Sequence, residues 1–251
     1  MGTDRAAIVD VETTGISRQD VIVEIAVLLF TFSRETGEFL SRDDYYQGYQ
    51  EPGFEIEPAA TAVHGLTRDN LRGKEIDRRN VQSLFSQADF LVAHNAVFDR
   101  GFVSRAFPEF SHMEWRCSMR SINWIRTGCE NKQLQTILAH HNIIPSRAHS
   151  AYDDVACLYD LLASIDRKTG RPYFSDVMAS RPVRTKFEMA AEEHPENYLT
   201  GIYVDEWEEW MASYLRSSSK TKLRRWNALT PGQQDFLRGE YGLREQDTLF
   251  S

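Results

Sequence analysis

Cysteine is scarce in this chain, with three residues, Cys117, Cys129 and Cys157, among 251. The three are widely separated, and none belongs to a C-x-x-C pair. This pattern argues against a disulfide framework and against a cysteine-based zinc site, and it fits a reducing compartment. We therefore expect a cytoplasmic protein.

Long apolar runs are also lacking. The longest, at residues 21–32, covers twelve positions and is interrupted by Glu24. Such a run is too short to span a bilayer, and the first residues show neither the charged nor the apolar region of a signal peptide. We expect no membrane partner.

Basic residues are outnumbered: 29 Lys and Arg stand against 37 Asp and Glu, a formal net charge of −8. Proteins that bind phosphate backbones normally carry a basic excess. Divalent cations can supply the local positive charge instead, so the acidity weakens a nucleic-acid hypothesis without excluding it.

The order of the remaining patterns predicts an α/β fold. Three extended runs joined by short turns, ending near residue 49, predict an antiparallel meander. Helices, two of them near residues 118–126 and 151–165, then alternate with short strands near residues 90–94 and 114–117. This order predicts a mixed β-sheet flanked by helices. A break near Asp166 predicts a domain over residues 1–168 and a mainly helical extension over residues 169–251.

The run AIVDVETTG places two carboxylates, Asp10 and Glu12, at alternate positions where a buried strand enters a turn. Alternate side chains of a strand point the same way, so the two charges repel each other unless a cation lies between them. A metal site is the first hypothesis, and a pair that is simply solvated beyond the last buried residue is the alternative.

Two further acidic segments follow, HNAVFD (residues 94–99) and HSAYDD (residues 149–154), each where a helix begins. With Asp10 and Glu12 they supply four carboxylates and a histidine at one edge of the predicted sheet. Carboxylate oxygens suit Mg²⁺ or Mn²⁺ rather than zinc, and two such ions with a neutral histidine can support phosphodiester hydrolysis.

The three segments, standing in this order, resemble the motifs of the DEDDh family of 3′ to 5′ exonucleases, and among them the proofreading subunit of bacterial replicative polymerases and exonuclease X. VHGLT, at residues 63–67, resembles the segment that these enzymes place near the terminal nucleotide. The resemblance covers residues 5–166 and implies an RNase H-like fold. It also implies a metal-dependent exonuclease that releases nucleoside 5′-monophosphates.

Carried over position by position, the resemblance assigns two divalent cations, Mg²⁺ or Mn²⁺, to four carboxylates and makes His149 the general base. Because the family spaces this histidine and aspartate five apart, we expect Asp154 as ligand, with Asp153 as the fallback, and His149 in the loop before the helix. The expected metal ligands are Asp10, Glu12, Asp99 and Asp154. The expected substrate contacts are Thr13, Thr14, His64, Asn95 and Phe98, where a loop hydrogen bond is the alternative role for His64 and helix packing that for Phe98.

The last residues, QDTLF at positions 246–250, resemble the peptide with which bacterial replication proteins bind the sliding clamp. In this reading Leu249 and Phe250 enter an apolar pocket and Gln246 makes polar contacts. We therefore expect a single-stranded or frayed 3′ end, DNA before RNA, as substrate, and the clamp as a possible partner. The alternatives are an exoribonuclease and a non-catalytic adaptor that binds a 3′ end or the clamp.

Overall fold

The computed structural model of the chain describes residues 2–17, 19–147 and 149–184. The first compact unit runs from Met1 to Val183. The part of the predicted helical extension (residues 169–251) that follows residue 184, with the clamp-like residues Gln246, Leu249 and Phe250, lies outside the described residues. The division at residue 168 stays a prediction.

A five-stranded sheet forms the centre of this unit, in the order β3-β2-β1-β4-β5. β1 and β2 pair antiparallel, as do β2 and β3, whereas β4 lies parallel to both β1 and β5. The predicted meander and mixed sheet are thereby confirmed. The strands are β1 (Thr3–Thr13), β2 (Ile22–Ser33), β3 (Phe39–Tyr49), β4 (Phe90–Ala93) and β5 (Trp115–Cys117), and a two-stranded ribbon consists of β6 (Ile165–Asp166) and β7 (Arg171–Pro172).

Helices cover both faces of the sheet, which explains the nearly unbroken apolar sequence of β2. β3 is one of the two edge strands, and its exposed residues include Arg42, Asp43 and Asp44, charges that discourage pairing with another chain. The helices are α1 (Pro58–His64), α2 (Arg68–Leu71), α3 (Arg78–Phe85), α4 (Ala96–Ala106), the 3-10 turn Pro108–Phe110, α5 (Ser118–Ser121), α6 (Trp124–Thr127), α7 (Leu134–His140), α8 (Ala151–Ala163) and α9 (Phe174–Ala179).

Alternation along β1 divides its side chains between two cores. Ala6 and Ile8 belong to one core, which also contains Leu158 of α8. Ala7 and Val9 belong to the other, together with residues of α3 and α4. Positions 10 and 12 continue the first series, so the sheet directs both carboxylates toward the face where α8 packs.

None of the helices in the described part of the chain has the length and apolar composition that crossing a membrane requires.

Candidate active site

The end of β1 is free of its parallel neighbour. β4 pairs with β1 only through Ala6, Ala7 and Ile8, and β4 itself ends at Ala93. The backbone beyond this point needs other partners, and the Val11 N–H donates to Oδ1 of Asp99 in α4 at 3.2 Å. Asp99 is therefore attached to the same short stretch of β1 that carries Asp10 and Glu12.

Three carboxylates converge beside this strand end. One oxygen of each of Asp10, Glu12 and Asp154 lies within 4.8 Å of the corresponding oxygens of the other two. We call these three residues the acidic triad. Asp154 comes from the first turn of α8, and it is Asp154 rather than its neighbour Asp153 that the structure brings into the triad.

The charged forms of these carboxylates are unfavourable in the absence of a cation. Burial raises the pKa of Glu12 to about 8, and repulsion from Asp154 adds to the shift. Burial likewise raises the pKa of Asp99 to about 8, against the opposing effect of backbone N–H donors. The pKa of Asp10 is raised well above its ordinary value by burial and then by repulsion from Asp99 and Glu12.

A divalent cation fits this donor set. Carboxylate oxygens are hard ligands of the kind that Mg²⁺ and Mn²⁺ take, and a positive ion between them would remove the mutual repulsion that raises their pKa values. The acidic triad can thus act as a metal site. Asp99, buried with 2% of its surface exposed, is not one of these three residues but is close enough to Asp10 to repel its charge.

His149 lies in the loop before α8, because the helix begins only at Ala151. Its backbone adopts a left-handed conformation with φ of 58°, which is uncommon for residues other than glycine, although asparagine, aspartate and histidine adopt it more often than the rest. The side chain is exposed. An exposed imidazole in this position can exchange a proton with a bound molecule.

An open cleft of about 570 Å³ connects these groups. Asp10, Asp154 and His149 line it together with Asn95, so the structure brings four of the predicted site residues to one surface. Residues 132–135, at the start of α7, also line the cleft.

Thr13 is the last residue of β1 and Thr14 enters the turn that follows, and both are buried. The Thr13 hydroxyl donates to the Gly15 carbonyl at 2.6 Å, and the Thr14 hydroxyl donates to Oδ1 of Asp20 at 2.6 Å. A Cβ at position 15 would lie 2.6 Å from Oδ2 of Asp20, so a residue other than Gly15 would displace the Asp20 carboxylate that Thr14 and Ser17 hold. Both hydroxyls are therefore engaged in shaping the turn.

His64 is buried at the end of α1, with both ring nitrogens bonded. Nδ1 accepts the Leu66 N–H at 3.0 Å, so the proton resides on Nε2, which donates to the Thr13 carbonyl at 3.1 Å. Burial lowers the pKa of His64, which keeps the ring neutral. This is the loop hydrogen bond considered above as its alternative role, and it connects the VHGLT segment to the turn after β1.

The remaining two predicted contacts differ in exposure. Asn95 is exposed, has a left-handed backbone with φ of 71° and lines the cleft. Phe98 is half-buried and packs on Phe102, with ring centroids 4.9 Å apart. The packing role considered for Phe98 is thus present in the structure.

Glu24 is a charged residue near the site that the motifs did not indicate. It is fully buried in β2, directly opposite Glu12 in the strand register. Its Oε1 accepts from Gln47 at 2.7 Å and from Ser150 at 3.3 Å, while its Oε2 has no hydrogen-bond partner within the described residues. Glu24 is therefore hydrogen-bonded to Ser150, the residue that follows His149. In the sequence, the feature that could have identified Glu24 is its position as the one charged residue within the apolar run at residues 21–32.

A family model described as "Exonuclease" matches residues 7–162 of the chain. Among curated proteins, the chain is similar to the PolC-type DNA polymerase III of Listeria innocua, 30% identical over 152 residues, which cover 58% of this chain and 10% of the polymerase. It is also similar to ribonuclease T of a Shewanella species, 38% identical over 114 residues, which cover 39% of this chain and 50% of that protein. The chain thus spans about a tenth and about half of the length of these two relatives.

Among solved structures, the fold is similar to that of Escherichia coli exonuclease I in complex with a dA16 oligonucleotide. The TM-score is 0.52 at 18% identity, and the match covers 69% of this chain and 42% of exonuclease I. A likeness at this level of identity establishes the fold, which is the one that the motifs implied.

Proposed function

The chain belongs to the exonuclease family, since the family model spans residues 7–162 of its 251 residues, and from this premise we propose that it is a metal-dependent 3′ to 5′ exonuclease. The observation that carries the proposal is the acidic triad, whose three oxygens lie within 4.8 Å of one another beside the buried Asp99. The proposed product is a nucleoside 5′-monophosphate, released from a single-stranded or frayed 3′ end.

The proposed metal ligands are the triad residues Asp10, Glu12 and Asp154, together with Asp99. Two bound Mg²⁺ or Mn²⁺ ions would supply Lewis acidity and positive charge at the scissile phosphate. The carboxylates hold this charge in place, because β1, α4 and α8 fix their positions through the sheet and the cores on its two faces.

His149 is the proposed general base. It takes a proton from the attacking water as the new oxygen–phosphorus bond forms and the bond to the 3′ oxygen of the preceding nucleotide breaks. Three observations support this role: the imidazole is exposed, it lines the same cleft as Asp10 and Asp154, and the loop that carries it is attached to Glu24 through Ser150.

Asn95 is the predicted substrate contact that the cleft geometry favours, because its amide is exposed on the cleft wall. Thr13, Thr14 and His64 act on the substrate through the shape of the turn that they stabilise, and its backbone faces the terminal nucleotide in this proposal. Phe98, which is half-buried, stays a proposed base contact.

DNA is the favoured substrate, and RNA is the alternative. The two relatives divide between a DNA polymerase and a ribonuclease, so similarity alone does not choose between them. The clamp-like QDTLF at residues 246–250 favours DNA, because a sliding clamp encircles DNA.

The experiment that tests the activity uses 5′-labelled single-stranded DNA and RNA of identical sequence, incubated with the protein in Mg²⁺, in Mn²⁺ and in chelator. We expect a ladder that shortens from the 3′ end only when metal is present, with the faster rate on DNA. A faster rate on RNA would establish the exoribonuclease. Absence of shortening on both strands with both metals would favour the adaptor.

The proposed partner, a bacterial sliding clamp, is tested by deleting residues 246–251. We expect the deletion to abolish binding to the clamp and to leave hydrolysis of short oligonucleotides unchanged, because residues 246–251 contribute nothing to the cleft in this proposal. Surface plasmon resonance on immobilised clamp measures the binding. The control is a variant that lacks only Ser251 and therefore keeps the pentapeptide. Clamp binding that survives the deletion would refute the proposed partner site.

A further inference from the structure

Gln135 holds one oxygen of the acidic triad. It lies half-buried in the first turn of α7, and its Nε2 donates to Oδ1 of Asp154 at 2.8 Å. Asp154 itself is 6% exposed, so few other donors can reach its carboxylate. An amide donor is neutral, and it therefore fixes the direction of the carboxylate without competing with a cation for its charge.

The segment that carries Gln135 is held in turn by His94, at the end of β4. The His94 Nε2 lies 2.8 Å from the Lys132 carbonyl, and Nδ1 lies 2.8 Å from the Ser118 hydroxyl. A carbonyl only accepts, so Nε2 carries the proton and Nδ1 accepts from Ser118. Burial lowers the pKa of His94, which favours this neutral form.

These bonds form a continuous path from the sheet to the acidic triad. β4 ends beside β1, His94 fixes the backbone of Lys132, α7 begins two residues later, and Gln135 reaches Asp154. Both Gln135 and His94 line the cleft with Asp10 and Asp154. His94 therefore holds the backbone just before α7, and the hydrogen bond from Gln135 to Asp154 holds the first turn of this helix.

We propose that Gln135 is a positioning residue that orients the Asp154 carboxylate for a divalent cation, and that His94 fixes the start of α7 so that Gln135 can do so. The inference rests on the proposed function, in which Asp154 is a metal ligand. Residues that hydrogen-bond a ligating carboxylate set its direction, and their loss typically costs about 10- to 100-fold in metal affinity or activity.

Two variants of the full chain separate donation from packing. Gln135→Met keeps the length of the side chain and removes the donor, whereas Gln135→Asn keeps an amide donor but shortens the side chain by one carbon. If Gln135 only fills space, Gln135→Met is the milder change. If it donates to Asp154, both variants weaken metal binding, because methionine has no N–H and the shorter amide no longer reaches Oδ1 of Asp154 at hydrogen-bond distance.

The measurement is calorimetric titration of Mn²⁺ into the protein without DNA, supported by cleavage of a labelled oligonucleotide at increasing Mn²⁺. We expect the Mn²⁺ dissociation constant to rise about 10- to 100-fold in both variants, with the KM for oligonucleotide unchanged at saturating metal. Gln82→Met is the matched control, because Gln82 is also half-buried on a helix and donates to a carboxylate, Oε1 of Glu109, at 2.6 Å.

Wild-type Mn²⁺ affinity in both Gln135 variants would overturn the inference. Asp10→Ala, measured in parallel, distinguishes the failure of this inference from the failure of the proposed function. If Asp10→Ala abolishes Mn²⁺ binding while the Gln135 variants retain it, only the positioning role is wrong. If Asp10→Ala leaves Mn²⁺ binding and hydrolysis intact, the proposed function is wrong, and the role of Gln135 falls with it.

Discussion

Burial disfavours the charged forms of four carboxyl groups, and a bound cation would stabilise those forms. The four are Asp10, Glu12, Asp99 and Asp154. The physical cause is burial first and mutual repulsion second, as the raised pKa values of Asp10 and Glu12 show. A solvated pair would have neither feature. The arrangement therefore favours the metal hypothesis over the alternative that Asp10 and Glu12 lie in solvent beyond the core.

The raised pKa values predict how stability depends on pH in the metal-free protein. Glu12, with an ordinary pKa of 4.5, retains its proton up to about pH 8 in the folded state, so between these values the folded state binds more protons than the unfolded state. Stability is then lost as the pH rises through this window. Thermal unfolding in chelator should occur at lower temperature at about pH 8 than at about pH 6, and saturating Mg²⁺ should reverse the loss. Stability that rises over this window in chelator would contradict the prediction.

His149→Ala should lower kcat and leave metal binding intact, because the imidazole moves a proton and is not among the proposed ligands. The expected loss is about 10²- to 10⁴-fold, the usual contribution of a general base. Single-turnover hydrolysis of a labelled oligonucleotide measures the rate, and Mn²⁺ titration measures the binding. His140→Ala, which changes an exposed histidine at the end of α7, is the control. A fully active His149→Ala protein would exclude the proposed base.

Among single residues, the motifs identified side chains that the structure brings together in the cleft. They did not identify Gln135 and Glu24, which hydrogen-bond to residues of those motifs. Asp10, Asn95, His149 and Asp154 all line one cleft. Gln135 lies 19 positions from Asp154 and Glu24 lies 126 positions from Ser150, so these hydrogen bonds depend on how strands and helices pack. A motif records neighbours in sequence, and it carries no information about such distant pairs.

Among the helices and strands, α8 contributes both to the apolar core and to the acidic triad. Its buried residues Val155, Leu158 and Leu161 pack on the sheet, while Asp154 in its first turn completes the acidic triad. The helix is therefore placed by apolar contacts, and the position of the carboxylate follows from that packing.

Leu158→Ala should destabilise the protein by about 2–5 kcal/mol, since it leaves a cavity between α8 and the sheet. Leu158 is 2% exposed, whereas Leu40, on the edge strand β3, is 53% exposed and serves as the control position. Equilibrium unfolding in urea measures both variants. A Leu158→Ala protein as stable as Leu40→Ala would mean that α8 is not held by this core.

Elements with a strong pattern were predictable, and so were the short strands β4 and β5, whereas the division between two short helices was not. The meander follows from three extended runs, and the helix predicted near residues 151–165 corresponds to α8 (Ala151–Ala163). The single helix predicted near residues 118–126 is wrong, because the chain forms α5 and α6 there. The Asn123 side chain accepts from the Arg126 N–H, and this cap starts a new helix after Ile122 adopts an extended backbone.

For the molecule as a whole, the excess of acidic residues is consistent with the site. The net charge of −8 opposes approach to a phosphate backbone, and the acidic triad adds to that opposition until a cation occupies it. Binding of nucleic acid should therefore depend on divalent metal. Composition alone could not distinguish such a protein from one without a nucleic-acid substrate, because the compensating charge is not encoded in the chain.

We propose that the acidic triad at the end of β1 holds the metal with which the protein hydrolyses a 3′ end. The most direct measurement is the release of nucleoside 5′-monophosphate from single-stranded DNA in Mn²⁺ by the wild-type protein and by Asp10→Asn, which keeps the side-chain shape and removes the charge. Asp44→Asn, at an exposed position of β3, is the control. We predict that Asp10→Asn folds, loses hydrolysis and unfolds in chelator at a higher temperature than the wild type, because one repelling buried carboxylate is gone. Hydrolysis by a folded Asp10→Asn protein at the wild-type rate would contradict the account.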